Sequence, residues 1–198
     1  MSDPKLLVAD PGRGNVEFRA EIDAAIARVI DSGWYILGAE VAAFEREFAH
    51  CLGCEHAVGV ANGTDALRIA LLACGIAPGD EVITVANAGD PTPMAIWSIG
   101  AVPRFVDVDA TTYTMEPAAV AATIGPRTKA ILPVHLYGQT ADMDALAAVA
   151  RDAHVPLIED ACQAHGAEFQ GRRAGTIGLA GCFSFYPTKN MQAIEGGL

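Results

Sequence analysis

From residue 56 to residue 186, short apolar stretches alternate with amphipathic ones, and nothing else in the chain restricts its fold so strongly. Residues 56–61, 81–85, 102–108, 129–134, 156–159 and 181–186 read as strands. Between them, residues 64–74, 92–99, 117–124 and 142–153 carry apolar side chains at helical spacing, and Pro78-Gly79-Asp80 marks a turn. Strands joined through helices are crossover units, so the strands run mostly parallel. A parallel sheet needs both faces covered. The expected fold is therefore α/β, a three-layer α/β/α arrangement around a mostly parallel sheet. In such sheets ligands bind beyond the carboxyl ends of the strands. The residues just after each strand are thus the first place to look for chemistry.

Ahead of this pattern, residues 17–32 carry Phe18, Ile22, Ile26, Val29 and Ile30 at helical spacing, and Gly33 stops the helix. A short turn, residues 34–38, leads to a second helix with the stripe Val41, Phe44, Phe48 and Leu52. The expected division is an N-terminal helical segment, residues 1–32, and one large domain, residues 33–198. Of the 198 residues 52% are apolar and 19% charged, which suits a packed globular chain. The net charge of −11 repels phosphate backbones, so nucleic acid is not an expected partner. No apolar run reaches membrane-spanning length, and residues 1–10 lack a basic region followed by an apolar core. The expected compartment is the cytoplasm. Cys51, Cys54, Cys74, Cys162 and Cys182 are odd in number and irregularly spaced, against a disulfide framework. Cys51 and Cys54 form a C-x-x-C without a second pair, so they are read as the buried end of a helix and no metal is expected.

Three motifs follow strands. The first is Ala61-Asn62-Gly63-Thr64-Asp65-Ala66-Leu67. The amides of Gly63 and Thr64 and the Thr64 hydroxyl would open a helix N-terminus, which binds phosphate through free N–H groups and the helix dipole. An ordinary N-cap by Asn62 or Thr64 is the plain alternative. The second, Leu157-Ile158-Glu159-Asp160, ends a strand in two carboxylates. Asp160 could meet a protonated pyridine nitrogen, or either carboxylate could cap the next segment. The third, Ser184-Phe185-Tyr186-Pro187-Thr188-Lys189-Asn190, runs a strand into a turn bearing a lysine. A partly desolvated amine there can attack an aldehyde, although most lysines are simply solvated. Ser184 adds a phosphate donor. Together the motifs supply the three parts of a pyridoxal-phosphate (PLP) site.

These residues resemble the DegT–StrS family of sugar aminotransferases, PLP enzymes of the aspartate-aminotransferase fold (fold type I). The resemblance runs from about Ser32 to the last residue. Besides the motifs above it rests on Ser32-Gly33-Trp34-Tyr35-Ile36-Leu37-Gly38, Pro78-Gly79-Asp80-Glu81-Val82-Ile83-Thr84, Pro133-Val134-His135-Leu136-Tyr137-Gly138-Gln139 and Ala161-Cys162-Gln163-Ala164-His165-Gly166. It implies that Lys189 carries PLP as a Schiff base and then shuttles a proton, and that Asp160 pairs with the pyridine nitrogen. Gln163 would lie near the ring oxygen or ring face, with Gly63, Thr64 and Ser184 on the phosphate. His165 and Tyr35 would approach the substrate. It further implies a homodimer and transfer of an amino group from an amino acid, L-glutamate, to a nucleotide-linked keto-sugar, a dTDP-3-keto-6-deoxyhexose.

Two departures from the family pattern stand out. The family carries an aromatic that stacks on the cofactor ring where this chain has Gly89, and Asn87-Ala88-Gly89-Asp90-Pro91 contains no aromatic. Family members are also roughly twice as long, so the large domain is expected to be incomplete, the small domain absent and the 198-residue chain inactive alone. The strand at 181–186 is then expected to leave an open edge. A non-catalytic relative or fragment with a regulatory or assembly role is the competing reading. A PLP sugar dehydratase would have a histidine at Lys189, and a dinucleotide-binding protein would show G-x-G-x-x-G after its first strand.

Overall fold

The computed structural model describes residues 10–198. The stretch read for a secretory leader, all but Asp10, lies outside the described residues. Helices α1 (Pro11–Asn15), α2 (Arg19–Ser32), α3 (Ala39–Leu52) and α4 (Gly63–Ala73) come first. Then follow β1 (Glu81–Val85), α5 (Pro91–Ser98), β2 (Val102–Val106), α6 (Pro117–Thr123), β3 (Thr128–Ile131), a 3-10 turn (Leu136–Gly138), α7 (Met143–Ala153) and β4 (Ile158–Asp160). The short strands β5 (Glu168–Phe169), β6 (Arg172–Arg173) and β7 (Ala180–Cys182) complete the order. The helices begin where the local chemistry allows. Asn62 and Asp142 accept the Asp65 and Ala145 amides at the starts of α4 and α7, and proline opens α5 and α6.

The sheet is parallel through β2–β1–β3 and through β4–β7. Parallel bridges from Ile131 to Leu157 and from Val134 to Asp160 join the two groups. Strand period 2 then divides the side chains. Val82, Ala130, Leu132, Ile158 and Cys182 pack under α4 and α5, while Ile83, Ile131 and Leu157 pack with Val120 of α6 and Leu146 of α7. A third cluster brings Phe44 and Phe48 of α3 against Phe183 and Phe185, with ring centroids 5.2–5.6 Å apart. The three-layer α/β/α reading therefore holds.

Several local expectations change. Residues 56–61 do not form a buried strand. Only Val60 pairs, and Val58 is exposed. The apolar stripe of α2 is only partly covered, with Ile22 and Val29 half-buried and Ile26 and Ile30 exposed. Cys51 is exposed and Cys54 only half-buried, so the C-x-x-C is not a buried helix end. The hairpin β5–β6 was not foreseen, because two-residue strands have no readable period. Finally, the stretch read as a strand at 181–186 is paired on its outer side over residues 183–185, just beyond β7. Phe183 and Leu198 exchange backbone bonds of 2.8 and 3.1 Å, and Gly197 does the same with Val60 at 3.0 and 2.9 Å. Residues 196–198 thus run antiparallel between residues 183–185 and Val60. Among the described residues no helix is long and apolar enough to cross a membrane.

Candidate active site

A cleft of about 520 Å³ opens at the carboxyl ends of the strands and collects all three motifs. Gly63, Thr64, Asp160, Gln163, Ser184 and Lys189 line it, so six sequence-predicted residues meet there. The adjacent carboxylates Glu159 and Asp160 take opposite faces of β4, as period 2 requires. Asp160 follows Ile158 toward the α4–α5 side. Its Oδ2 accepts the Thr92 hydroxyl at 2.7 Å and its Oδ1 the Cys162 amide at 3.2 Å. It is buried, yet it faces the cleft. Thr92 escaped the sequence reading. Its only signal was a buried threonine in the first turn of a helix opened by proline, which has no functional signature of its own.

Glu159 turns to the other face, toward α7, and is completely buried. Oε2 accepts from His135 Nε2 at 2.9 Å and from the Gly175 amide at 2.8 Å, and Oε1 from the Ile177 and Gly178 amides at 2.6 Å each. The Ala141 amide donates to His135 Nδ1, so the imidazole is neutral and its proton lies on Nε2. Burial pushes the Glu159 carboxyl up, but the His135 bond and the amides outweigh it and hold the group below the ordinary carboxylate value. This network fastens the ends of β3 and β4 to the 175–178 loop. Glu159 is thus a structural anchor, and Asp160 is the carboxylate that faces the cleft.

At the other end of the cleft stands the N-terminus of α4. The Asn62 side chain caps the Asp65 amide at 2.9 Å, so the plain reading of the first motif holds too. It leaves the Gly63 and Thr64 amides with no partner among the described residues. A Cβ at Gly63 would come within 2.6 Å of Ser184 Cβ and 2.9 Å of Cys162 Sγ. Only glycine lets the helix start approach Ser184 so closely, and the approach puts two free amides and two hydroxyls in one concavity. Such a concavity fits a phosphate. Cys162 does not compete as a nucleophile, because burial and then Asp160 push its thiol well above the ordinary value.

Lys189 lines the same cleft from the turn after Ser184, where its amide donates to the Tyr186 carbonyl at 2.9 Å. The Gln163 side-chain oxygen accepts the Tyr137 amide at 3.0 Å. Its NH₂ is therefore the group left to donate into the cleft. A phosphate cradle, a carboxylate for a ring nitrogen, a donor for a ring oxygen and an amine form the donor set that PLP requires, so these residues fit that cofactor.

Two predicted substrate residues are not brought to the cleft. Tyr35 is 63% exposed in the 34–38 turn. His165 packs between Phe183 and Phe185, at centroid distances of 5.6 and 5.5 Å, and neither ring nitrogen has a partner among the described residues. Burial there holds its pKa below the ordinary value. Gly89 sits at φ +84° in the exposed loop after β1, and Ala88 and Pro91 form that side of the cleft. Tyr186 is the only aromatic lining it among the described residues, so no aromatic comes from the 87–91 loop. Glu195 and Asp65, both unforeseen, complete the acidic rim. No group of three or more described His, Cys, Asp or Glu residues is placed to hold a metal ion.

Comparison with known proteins bears on family and fold. The model of the DegT/DnrJ/EryC1/StrS aminotransferase family matches residues 16–198. The dTDP-3-amino-3,4,6-trideoxy-alpha-D-glucose transaminase of Streptomyces venezuelae is 47% identical over 194 residues, 98% of this chain and 51% of the relative. The UDP-2-acetamido-2-deoxy-3-oxo-D-glucuronate aminotransferase of Pseudomonas aeruginosa is 46% identical over 177 residues, 89% and 49% of the two chains. The X-ray structure of S. venezuelae DesV in complex with a ketimine intermediate superposes with a TM-score of 0.93 at 46% identity. It covers 98% of this chain and 52% of that one. The chain spans about half the length of the curated relatives it matches.

Proposed function

The chain belongs to the DegT/DnrJ/EryC1/StrS aminotransferase family, and from that premise we propose that it carries the cofactor half of a PLP-dependent sugar aminotransferase. The observation that carries the reading is the convergence of Lys189, Asp160 and the α4 N-terminus on one cleft. PLP, when bound, supplies an aldehyde and a ring that accepts the electrons released at the donor carbon. The Gly63 and Thr64 amides and the Thr64 and Ser184 hydroxyls bind its phosphate. Asp160, oriented by the Thr92 hydroxyl and the Cys162 amide, keeps the ring nitrogen protonated. Gln163 donates to the ring oxygen. Lys189 would hold the aldehyde through its Nζ and, once a donor amine had taken its place, would carry a proton on that nitrogen.

The donor on this reading is an amino acid, L-glutamate, and the acceptor a nucleotide-linked keto-sugar of the dTDP-3-keto-6-deoxyhexose class. Residues 1–32 form an N-terminal arm and residues 33–198 the cofactor domain of a cytoplasmic homodimer. Tyr35 and His165 do not line this cleft and carry no step in this reading. The test uses the full-length protein loaded with PLP. Borohydride should fix the cofactor on one peptide, the one containing Lys189. Label on another lysine, or none on a protein that absorbs as the loaded form, overturns the assignment.

A further inference from the structure

We propose that a second, shallower cleft on the far side of Lys189 is the acceptor-sugar subsite, with the Tyr137 ring as its platform. The cleft measures about 390 Å³ and is lined by Tyr137, Gln163, Thr188, Lys189 and Asn190. Lys189 and Gln163 belong to both clefts, so a molecule in the second meets the amine that the first one presents. The two clefts differ in chemistry. The first has three carboxylates and a helix N-terminus in its walls. The second has an aromatic ring, a threonine hydroxyl, two carboxamides and the Lys189 amine, with neither an aliphatic side chain nor a carboxylate. A pyranose ring offers the matching set, namely C–H faces for an aromatic plane and hydroxyls for amide and hydroxyl partners.

The backbone supports this choice independently. Tyr137 sits in the left-handed region at φ 55°, ψ 23°, where bulky L-residues are uncommon, and Gly138 follows at φ +84°. The Gln163 side-chain oxygen holds the Tyr137 amide in that turn. Yet the side chain is 87% exposed, so the strained turn does not serve to bury the ring. Strained residues cluster where groups are aimed at ligands, and this one lines the same cleft as Lys189. Here the aimed group is the ring, and Gln163, on the cofactor side, sets its direction.

The inference rests on the sugar-aminotransferase reading above, and the experiment separates the two. Full-length, PLP-loaded wild type, Tyr137→Ala and Tyr137→Phe are compared in two half-reactions followed by the cofactor spectrum. One uses L-glutamate, the other a dTDP-3-amino-3,6-dideoxyhexose in the reverse direction. Binding of the same amino sugar to borohydride-reduced protein is measured by calorimetry. Tyr137→Ala should weaken amino-sugar binding and raise its KM about tenfold, the discrimination typical of one lost apolar contact. PLP affinity and the L-glutamate half-reaction should stay within about twofold, and Tyr137→Phe should restore most of the sugar binding. If wild type refuses the amino sugar while reacting with L-glutamate, the sugar reading and the subsite both fall. If wild type accepts it and Tyr137→Ala is unimpaired, or loses both half-reactions equally, only the subsite falls.

Discussion

Gly63→Ala tests the closest approach in the cofactor cradle. The added Cβ would lie 2.6 Å from Ser184 Cβ, 2.9 Å from Cys162 Sγ and 3.2 Å from Ser184 Oγ. Carbon atoms rest at about 3.5–4.0 Å, so something must retreat by about 1 Å. Backbone conformation does not oppose the change, because Gly63 is not among the glycines at positive φ. Alanine is also the better helix former, by about 1 kcal/mol. Against that gain stands overpacking, which costs about 1–3 kcal/mol. Ser184 is buried, and its neighbours Phe183 and Phe185 are bonded to Leu198 and Gly196, so it cannot yield. The first turn of α4 moves instead, and with it the two free amides. The net loss of stability should be small, about 1 kcal/mol, or a fall of about 2–4 °C in Tm for a domain of this size. Loss of PLP affinity should be larger, about tenfold or more, because a hydrogen bond stretched by about 1 Å is no longer one. Thermal denaturation and absorbance titration with PLP measure the two quantities on one preparation. Ser184→Gly and the double variant complete a cycle, and the double variant should recover about 1 kcal/mol of the Gly63→Ala loss. A Gly63→Ala protein that is more stable than its parent and binds PLP equally well would refute the reasoning.

Three further outcomes follow from the same structure. Glu159→Gln turns an NH₂ group toward two of the four donors, either His135 Nε2–H with the Gly175 amide or the Ile177 and Gly178 amides, so urea denaturation should show a loss of about 3 kcal/mol, and an unchanged midpoint would deny the anchor role. Burial, with the nearby Lys189 adding to it against the opposing Ser184 backbone, holds the His165 pKa below the ordinary value of about 6.5. As pH falls through that value the unfolded chain takes up a proton that the folded chain refuses. Stability should then fall with pH, and His165→Phe should flatten that part of the profile. Ile194, β-branched at φ +67° and 77% exposed, centres a tight turn closed by the Glu195 amide and the Ala193 carbonyl at 2.8 Å. Ile194→Gly should remove about 1–2 kcal/mol of left-handed strain against about 0.5–1 kcal/mol of added chain entropy, so Tm should rise, and a lower Tm would contradict this.

The sequence by itself determined whatever depends on neighbours within a turn or a strand. The helices at 64–74, 92–99, 117–124 and 142–153 and the strand Glu81–Val85 could be read from period and punctuation, because their apolar faces, caps and prolines are local. The motifs that contain Gly63, Asp160 and Lys189 could be picked out for the same reason, since each spans only a few residues. Tertiary structure alone decided what required distant segments to meet. Residues 56–61 look like a buried strand, but their one partner is Gly197, and pairing at the sheet edge involves Val60 alone. The stripe of α2 looks like a core face, yet none of its residues is fully buried, because amphipathicity specifies that a face is apolar and not what covers it. His165 could be placed in a motif but not on a side of the sheet, and packing against Phe183 and Phe185 turned it away from the cleft. Thr92 reaches Asp160 across 68 residues and Gln163 reaches Tyr137 across 26. Such contacts leave no periodic trace, because their free energy is shared among all the strands and helices that bring the two ends together.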